Sequence, residues 1–228
     1  MLRGTAKAVL CTVAAASLLT ACSFESRTDE RSYAVTEPVT SLRVDNHGGS
    51  IEVVPGTGNA VSVVEKYEYS DGRPRTEHSV SGGELVLKSS GCGSGAHKCD
   101  VNYRVEVPVP TATRLTLEGG DIQVRGLSGT TYAKSQGGSV EVADSSAKAV
   151  TAATEGGNVR VSFKGVPDKV DAGTEAGNTT VRLPDGVYDV DARTEAGRRS
   201  VGVKTDPASS HKVQAHTEAG NVSVETAG

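Results

Sequence analysis

A glycine-centred octapeptide recurs through the second half of the chain. Its copies are Leu117-Glu-Gly-Gly-Asp-Ile-Gln-Val124, Ser135-Gln-Gly-Gly-Ser-Val-Glu-Val142 and Thr154-Glu-Gly-Gly-Asn-Val-Arg-Val161. Next come Thr174-Glu-Ala-Gly-Asn-Thr-Thr-Val181, Thr194-Glu-Ala-Gly-Arg-Arg-Ser-Val201 and Thr217-Glu-Ala-Gly-Asn-Val-Ser-Val224. The second glycines are Gly120, Gly138, Gly157, Gly177, Gly197 and Gly220, at spacings of 18, 19, 20, 20 and 23. A near-constant period of about twenty residues is the signature of a stacked repeat. Asn46-His-Gly-Gly-Ser-Ile-Glu-Val53 is an earlier copy, and Ser81-Gly-Gly-Glu-Leu-Val-Leu87 a weaker one.

Each copy carries two short alternating runs. Val159-x-Val161-x-Phe163 follows the glycine, and Val150-x-Ala152-x-Thr154 precedes it. The later copies repeat both patterns. Alternation at period two puts each set on one face of a strand, with polar residues such as Arg160, Asp171 and Asp189 on the other. No window shows helical recurrence, so essentially no helix is expected. Val and Thr dominate, and both favour strands.

Two all-β arrangements fit. In an antiparallel meander or sandwich the glycines are hairpin turns. In a β-solenoid, equivalent strands of successive coils pair in parallel, and identical residues stack in columns at ~4.8 Å. Columns explain why the same residue returns in the same phase, so the solenoid is the expectation. It also makes a column of Glu155, Glu175, Glu195 and Glu218, a possible interaction surface. Stacked like charges require an exposed corner, neighbouring arginine or a bound cation such as Ca²⁺. Arg199 falls on the inward parity, at the first residue of its strand. Residues 111–228 are read as regular coils. Residues 33–110 are read as a less regular start to the same stack, acting as a cap, with copies nearly two periods apart.

Residues 1–21 read as a leader. Arg3 and Lys7 precede Ala8–Leu19, an apolar run of twelve residues. That run spans only about 18 Å as a helix, too short for a ~30 Å hydrocarbon core. Leu19-Thr20-Ala21-Cys22 resembles a bacterial lipobox, which implies acylation of Cys22, cleavage before it and a membrane-attached N-terminus; the alternative is an ordinary signal peptide. Residues 22–32 are polar with mixed charge and read as a flexible tether.

Cys92 and Cys99 then remain. An even pair in an exported domain reads as a disulfide. A zinc site would need two more ligands; His97 is close but no fourth is evident.

The 228 residues carry 24 basic and 28 acidic side chains. Without Arg3 and Lys7 the balance is 22 against 28, or −6. A nucleic-acid partner is therefore not expected. The chain has no Trp and two Phe, which argues against an aromatic glycan platform. Tyr67 and Tyr69 share a face with Val63 and are read as packing residues. The five histidines (His47, His78, His97, His211, His216) are scattered and read as surface residues. No nucleophile elbow or phosphate loop is present, and Asp144, Asp168, Asp185 and Asp206 read as turn residues. No catalytic residue, cofactor or metal is expected.

Leu42-Arg-Val-x-Asn46 with Gly49-Ser-Ile-Glu-Val53, Cys99-Asp-Val-Asn-Tyr-Arg-Val-Glu-Val-Pro108, Gly120-Asp-Ile-Gln-Val124 with Gly126-Leu-x-Gly129, and Val181-Arg-Leu-Pro-Asp-Gly-Val-Tyr-Asp-Val-Asp-Ala192 carry a resemblance. From about residue 40 onward the chain is similar to the bacterial putative-adhesin family, a domain of unknown function. The resemblance implies a right-handed single-stranded β-helix, frequent attachment to the cell envelope, and no catalytic residues. The expected role is a non-enzymatic, lipid-anchored surface for cell-wall polysaccharide or an envelope protein. An accessory role in envelope-stress signalling and a polysaccharide-cleaving β-helix enzyme are the alternatives.

Overall fold

The computed structural model describes residues 26–92 and 97–227. The expected leader and the lipidation site Cys22 lie outside them. The described residues are strands, turns and bends with no helix.

The N-terminal part holds β1 (Arg27–Val35), β2 (Ser41–Gly48), β3 (Ile51–Pro55), β4 (Val61–Tyr69), β5 (Arg75–Ser81), β6 (Glu84–Ser90) and β7 (Cys99–Val107). The middle holds β8 (Ala112–Gly119), β9 (Ile122–Arg125), β10 (Thr131–Gly137), β11 (Val140–Ser145), β12 (Ala149–Gly156) and β13 (Val159–Phe163). Then come β14 (Lys169–Ala176), β15 (Thr179–Leu183), β16 (Val187–Ala196), β17 (Arg199–Val201), β18 (Lys204–Thr205), β19 (Lys212–Ala219) and β20 (Val222–Thr226).

These strands form two ten-stranded sheets. One runs β1-β4-β7-β3-β9-β11-β13-β15-β20-β17, the other β18-β16-β19-β14-β12-β10-β8-β2-β6-β5. Each coil contributes one strand to each sheet. Coil-to-coil pairing is parallel and in register, as in Val150↔Val170 and Ala152↔Ala172, apart from one shift between β11 and β13 at Val142–Ser145. The protein is a β-solenoid. Inward side chains from both sheets fill one continuous core, including Val140, Val159 and Val224 from the first and Val150, Val170 and Val213 from the second. Each fully buried valine contributes roughly 1.5–3 kcal/mol of hydrophobic stabilisation.

Pairing turns antiparallel only at the N-terminal end, where β1 pairs β4, β4 pairs β7 and β5 pairs β6. The weaker glycine copy proves to be something else. Gly82 and Gly83, at φ 59° and 81°, form the β5–β6 hairpin turn rather than a coil corner. Both central residues of such a two-residue turn need positive φ, which is why glycines occupy them. The tether also needs correction. Arg27–Ser32 belong to β1, hydrogen-bonded along β4 from Arg27↔Tyr69 to Val35↔Val61. Most of β1 is exposed, so no apolar alternation betrays it.

The order of coils departs from the order of the chain at both ends. The last coil, β19/β20, lies between β14/β15 and β16/β17. The first, β2/β3, lies between β6/β7 and β8/β9. The first and last coils are thus each tucked inside a neighbour that the chain forms on their far side. Arg199 now has a physical account: it belongs to the outermost coil, where an inward-parity side chain reaches solvent. The arrangement predicts that cysteines at Asp171 and Gln214, direct partners in register, will crosslink on oxidation. Cysteines at Asp171 and Asp191, in coils adjacent only in sequence, will stay apart; non-reducing mass analysis distinguishes the two.

Three columns hold the corner where the sheets meet. Gly49, Gly120, Gly138, Gly157, Gly177, Gly220 and Gly197 stack in that order. A Cβ on Gly157 would lie 2.4 Å from the Gly138 carbonyl oxygen. The hydroxyls of Ser135, Thr154, Thr174, Thr217 and Thr194 each donate to a corner glycine carbonyl, at 2.7–2.9 Å. A third column was not foreseen. The Asn158, Asn178 and Asn221 side chains accept from the backbone N–H of Asn178, Asn221 and Arg198, at 2.9–3.0 Å.

Cys92 and Cys99 are bonded, with Cα atoms 5.7 Å apart. They close the β6/β7 coil at its corner. Asn46 supplements them, donating to Val101 O at 2.8 Å.

Candidate functional site

The outer face of the second sheet carries two parallel rows of side chains. The first row, set by the register, is Asp45, Thr116, Lys134, Ala153, Gly173, His216 and Arg193. The second stands two residues further along each strand, beside the corner. It comprises His47, Glu118, Gln136, Glu155, Glu175, Glu218 and Glu195. The four carboxylates picked out from the repeat do form a column. Its spatial order is Glu155, Glu175, Glu218, Glu195, because the end coils are interleaved.

All four are exposed. In water, unit charges ~4.8 Å apart repel by only about 0.9 kcal/mol, and the side chains can splay. Lys134 Nζ lies 3.8 Å from Glu155 Oε1. The exposed corner therefore accommodates the column without a cation. Among the described residues no group of three or more His, Cys, Asp or Glu is placed to hold a metal ion.

The small floor residues create a groove. Gly173 leaves room for the His216 ring, which a Cβ there would meet at 2.1 Å. A cavity of about 230 Å³ lies among Lys134, Ala153, Glu155, Gly173, Glu175, His216 and Glu218. Lys134 also borders a larger one of about 550 Å³, lined by Asp45, Asn46, His47, Ser89, Ser90, Gly91, Thr116, Leu117, Glu118 and Gln136. Its polar groups are held in place. The Thr116 hydroxyl donates to Asp45 Oδ1 at 2.6 Å, and His47 Nδ1 lies 2.5 Å from Glu118 Oε2. The His47 backbone N–H donates to Ser89 Oγ at 3.1 Å. Sequence reading treated His47 and His216 as unrelated surface residues. The register shows both bordering this groove.

The column carboxylates stand in file on one wall. The groove offers a file of carboxylates repeating at the coil spacing, with Thr116, Lys134, Gln136 and His216 set among them.

A second polar cluster is internal. Glu65 is fully buried on the inward face of β4, in line with Val63 and Tyr67. Tyr33 donates to its Oε1 at 2.8 Å, Thr76 to its Oε2 at 2.9 Å, and Tyr67 also to Oε2. Tyr67 and Tyr69 pack in the core as expected. Burial, and secondarily the hydrogen bond to Glu65, pushes the Tyr33 and Tyr67 phenols above their ordinary value. Burial does the same for Tyr103, with the Glu65 charge adding to it. A raised folded-state pKa means the native state holds its protons more tightly than the unfolded chain. The stabilisation is complete below about pH 10, the unfolded phenol value, and is lost as pH rises above it. Urea midpoints measured from pH 7 to 11 should fall steeply above pH 10. In Tyr33→Phe the midpoint should be lower at pH 7, where Glu65 lacks a donor, and decline less steeply in alkali.

The fold and groove define a capped parallel β-solenoid with a grooved polar lateral face. The Toastrack DUF4097 family matches residues 40–225, and the chain belongs to that family. No curated protein matches it. Among solved structures it is similar to a putative cell adhesion protein from Clostridium sporogenes ATCC 15579, at 14% identity and a TM-score of 0.54, over 88% of this chain and 100% of that one. It is similar also to a putative adhesin from Bacteroides fragilis NCTC 9343, at 14% identity and a TM-score of 0.51, over 88% of this chain and 97% of that one. At such identities the likeness is one of fold.

Proposed function

We propose that this protein is a non-enzymatic interaction module, anchored through lipidated Cys22 on the extracytoplasmic side of the cell membrane. Its groove binds a repeating envelope ligand, cell-wall polysaccharide or an envelope protein. The observation that carries this reading is the in-register ladder of polar groups along the groove. A periodic surface sums many weak contacts with a periodic ligand through avidity. The disulfide suits an oxidising, exported setting. The names of the two similar structures agree with an adhesive role.

The test is capture of isolated cell wall by the purified protein. Enrichment over an unrelated lipoprotein is expected. The triple variant Glu155→Gln, Glu175→Gln, Glu218→Gln should bind at least about tenfold more weakly, a change of about 1.4 kcal/mol. Capture no better than the unrelated lipoprotein, or unchanged in the triple variant, refutes the groove as the binding face.

A further inference from the structure

The start of β1 constrains how the protein sits on its membrane. With Cys22 acylated, residues 23–26 alone separate the anchor from Arg27, the first residue of β1. Five Cα-to-Cα steps reach at most about 18 Å, whatever path they take. The headgroup layer takes up roughly 5–7 Å of that. Pairing with β4 holds β1 from its first residue, so no further length is released.

Arg27 lies at one extreme of the stack. β1 is the outermost strand of its sheet, nine strand spacings from β17 at the other end. At ~4.8 Å each, the sheet is about 43 Å across. The anchor therefore reaches one end of the molecule and cannot reach the other. That end also carries an unpaired strand edge. The nine residues of β1 have a partner on one side only among the described residues. Such an edge invites pairing with another chain unless something covers it.

We propose that the headgroup layer of the bilayer covers the β1 end of the solenoid, so that the stack stands away from the membrane with β16–β18 outermost. The proposal rests on acylation of Cys22. It does not rest on charge. Arg27, Arg31 and Arg73 at this end are matched by Asp29, Glu30 and Asp71, and Arg73 already pairs with Asp29 at 3.7 Å. Contact is imposed by the short span and should survive high salt.

The test uses the mature acylated protein, purified from membranes and reconstituted into phosphatidylcholine vesicles with an acceptor dye on the headgroups. Donor dyes are placed singly at Thr28→Cys and Ala208→Cys, both exposed and at opposite ends. Transfer from position 28 should exceed that from 208 at least threefold, and 0.5 M salt, about a 4 Å Debye length, should leave the ratio unchanged. Twenty Gly/Ser residues inserted after Ser23 give a coil of roughly 27 Å and should bring the two transfers together. Protein that fails to float with the vesicles overturns the lipid anchor, and the orientation with it. Protein that floats with equal or inverted transfer overturns the orientation alone. A ratio abolished by salt overturns the span argument in favour of charge.

Discussion

Gly157→Val is expected to lower the thermal unfolding midpoint by roughly 10–20 °C. Gly157 adopts φ 138° in the middle of the corner column. A side chain in such a region costs on the order of 1–3 kcal/mol. The new Cβ would also meet the Gly138 carbonyl oxygen at 2.4 Å and its carbon at 2.6 Å. That backbone cannot yield freely. Gly138 N–H donates to Gly156 O at 2.7 Å, and its own carbonyl accepts from Thr154 at 2.7 Å. Overpacking against it adds roughly 1–3 kcal/mol or more. A domain of this size loses about 2–4 °C per kcal/mol. Gly156→Ala is the control. Its Cβ would meet only Gln136 O, at 3.9 Å, and the midpoint should move little. Equal effects at the two positions, read by circular dichroism melts, would mean the corner column does not constrain the stack.

Truncation after Asp206 should abolish cooperative unfolding of the whole stack. In a solenoid whose coils follow chain order, losing the last coil costs a cap. Here it removes β19 and β20 from between two other coils. Val213, Ala215, Val222 and Val224, all buried, leave the core together. Two freshly exposed coil faces remain, one on each side of the gap. The lost burial, roughly 1.5–3 kcal/mol for each valine, is comparable with the 5–15 kcal/mol that holds a whole domain. Deleting residues 187–211 instead, with Pro184-Asp-Gly186 joining β15 to β19, keeps the parallel pairing of β14 with β19 and of β15 with β20. That chain should retain a single transition, lowered by only a few degrees. Should the 207–228 truncation prove the milder of the two, the interleaved order is wrong.

The strands, the corner glycines and the glutamate column were legible because parallel stacking gives every coil the same environment. A residue favoured at one position is then favoured at its equivalents, and Thr154, Thr174 and Thr217 repeat for the same hydrogen bond. That equivalence also hides coil order. By alternation alone β16/β17 and β19/β20 fit either slot. The distinguishing marks were Arg198 and Arg199 in place of the usual Asn and apolar residue, and the long spacing from Gly197 to Gly220. The groove was half legible. Its glutamate wall follows from the repeat, but His47 and His216 join it only through pairings between distant coils. β1 was illegible because most of its residues face water. Glu65 left a trace, a carboxylate on the inward parity between Val63 and Tyr67, but its donors Tyr33 and Thr76 come from other strands.

The two tucked coils decide where a protein of this kind can lengthen. A duplicated coil added beside the first or the last coil would have to displace a layer already clasped by its neighbours. A duplication among residues 131–183 meets no such obstacle, since each layer there rests on the one made just before it. Gain and loss of repeats should therefore be confined to the middle, leaving both clasps, the disulfide end and the Arg198–Arg199 end, unchanged while the reach of the molecule varies.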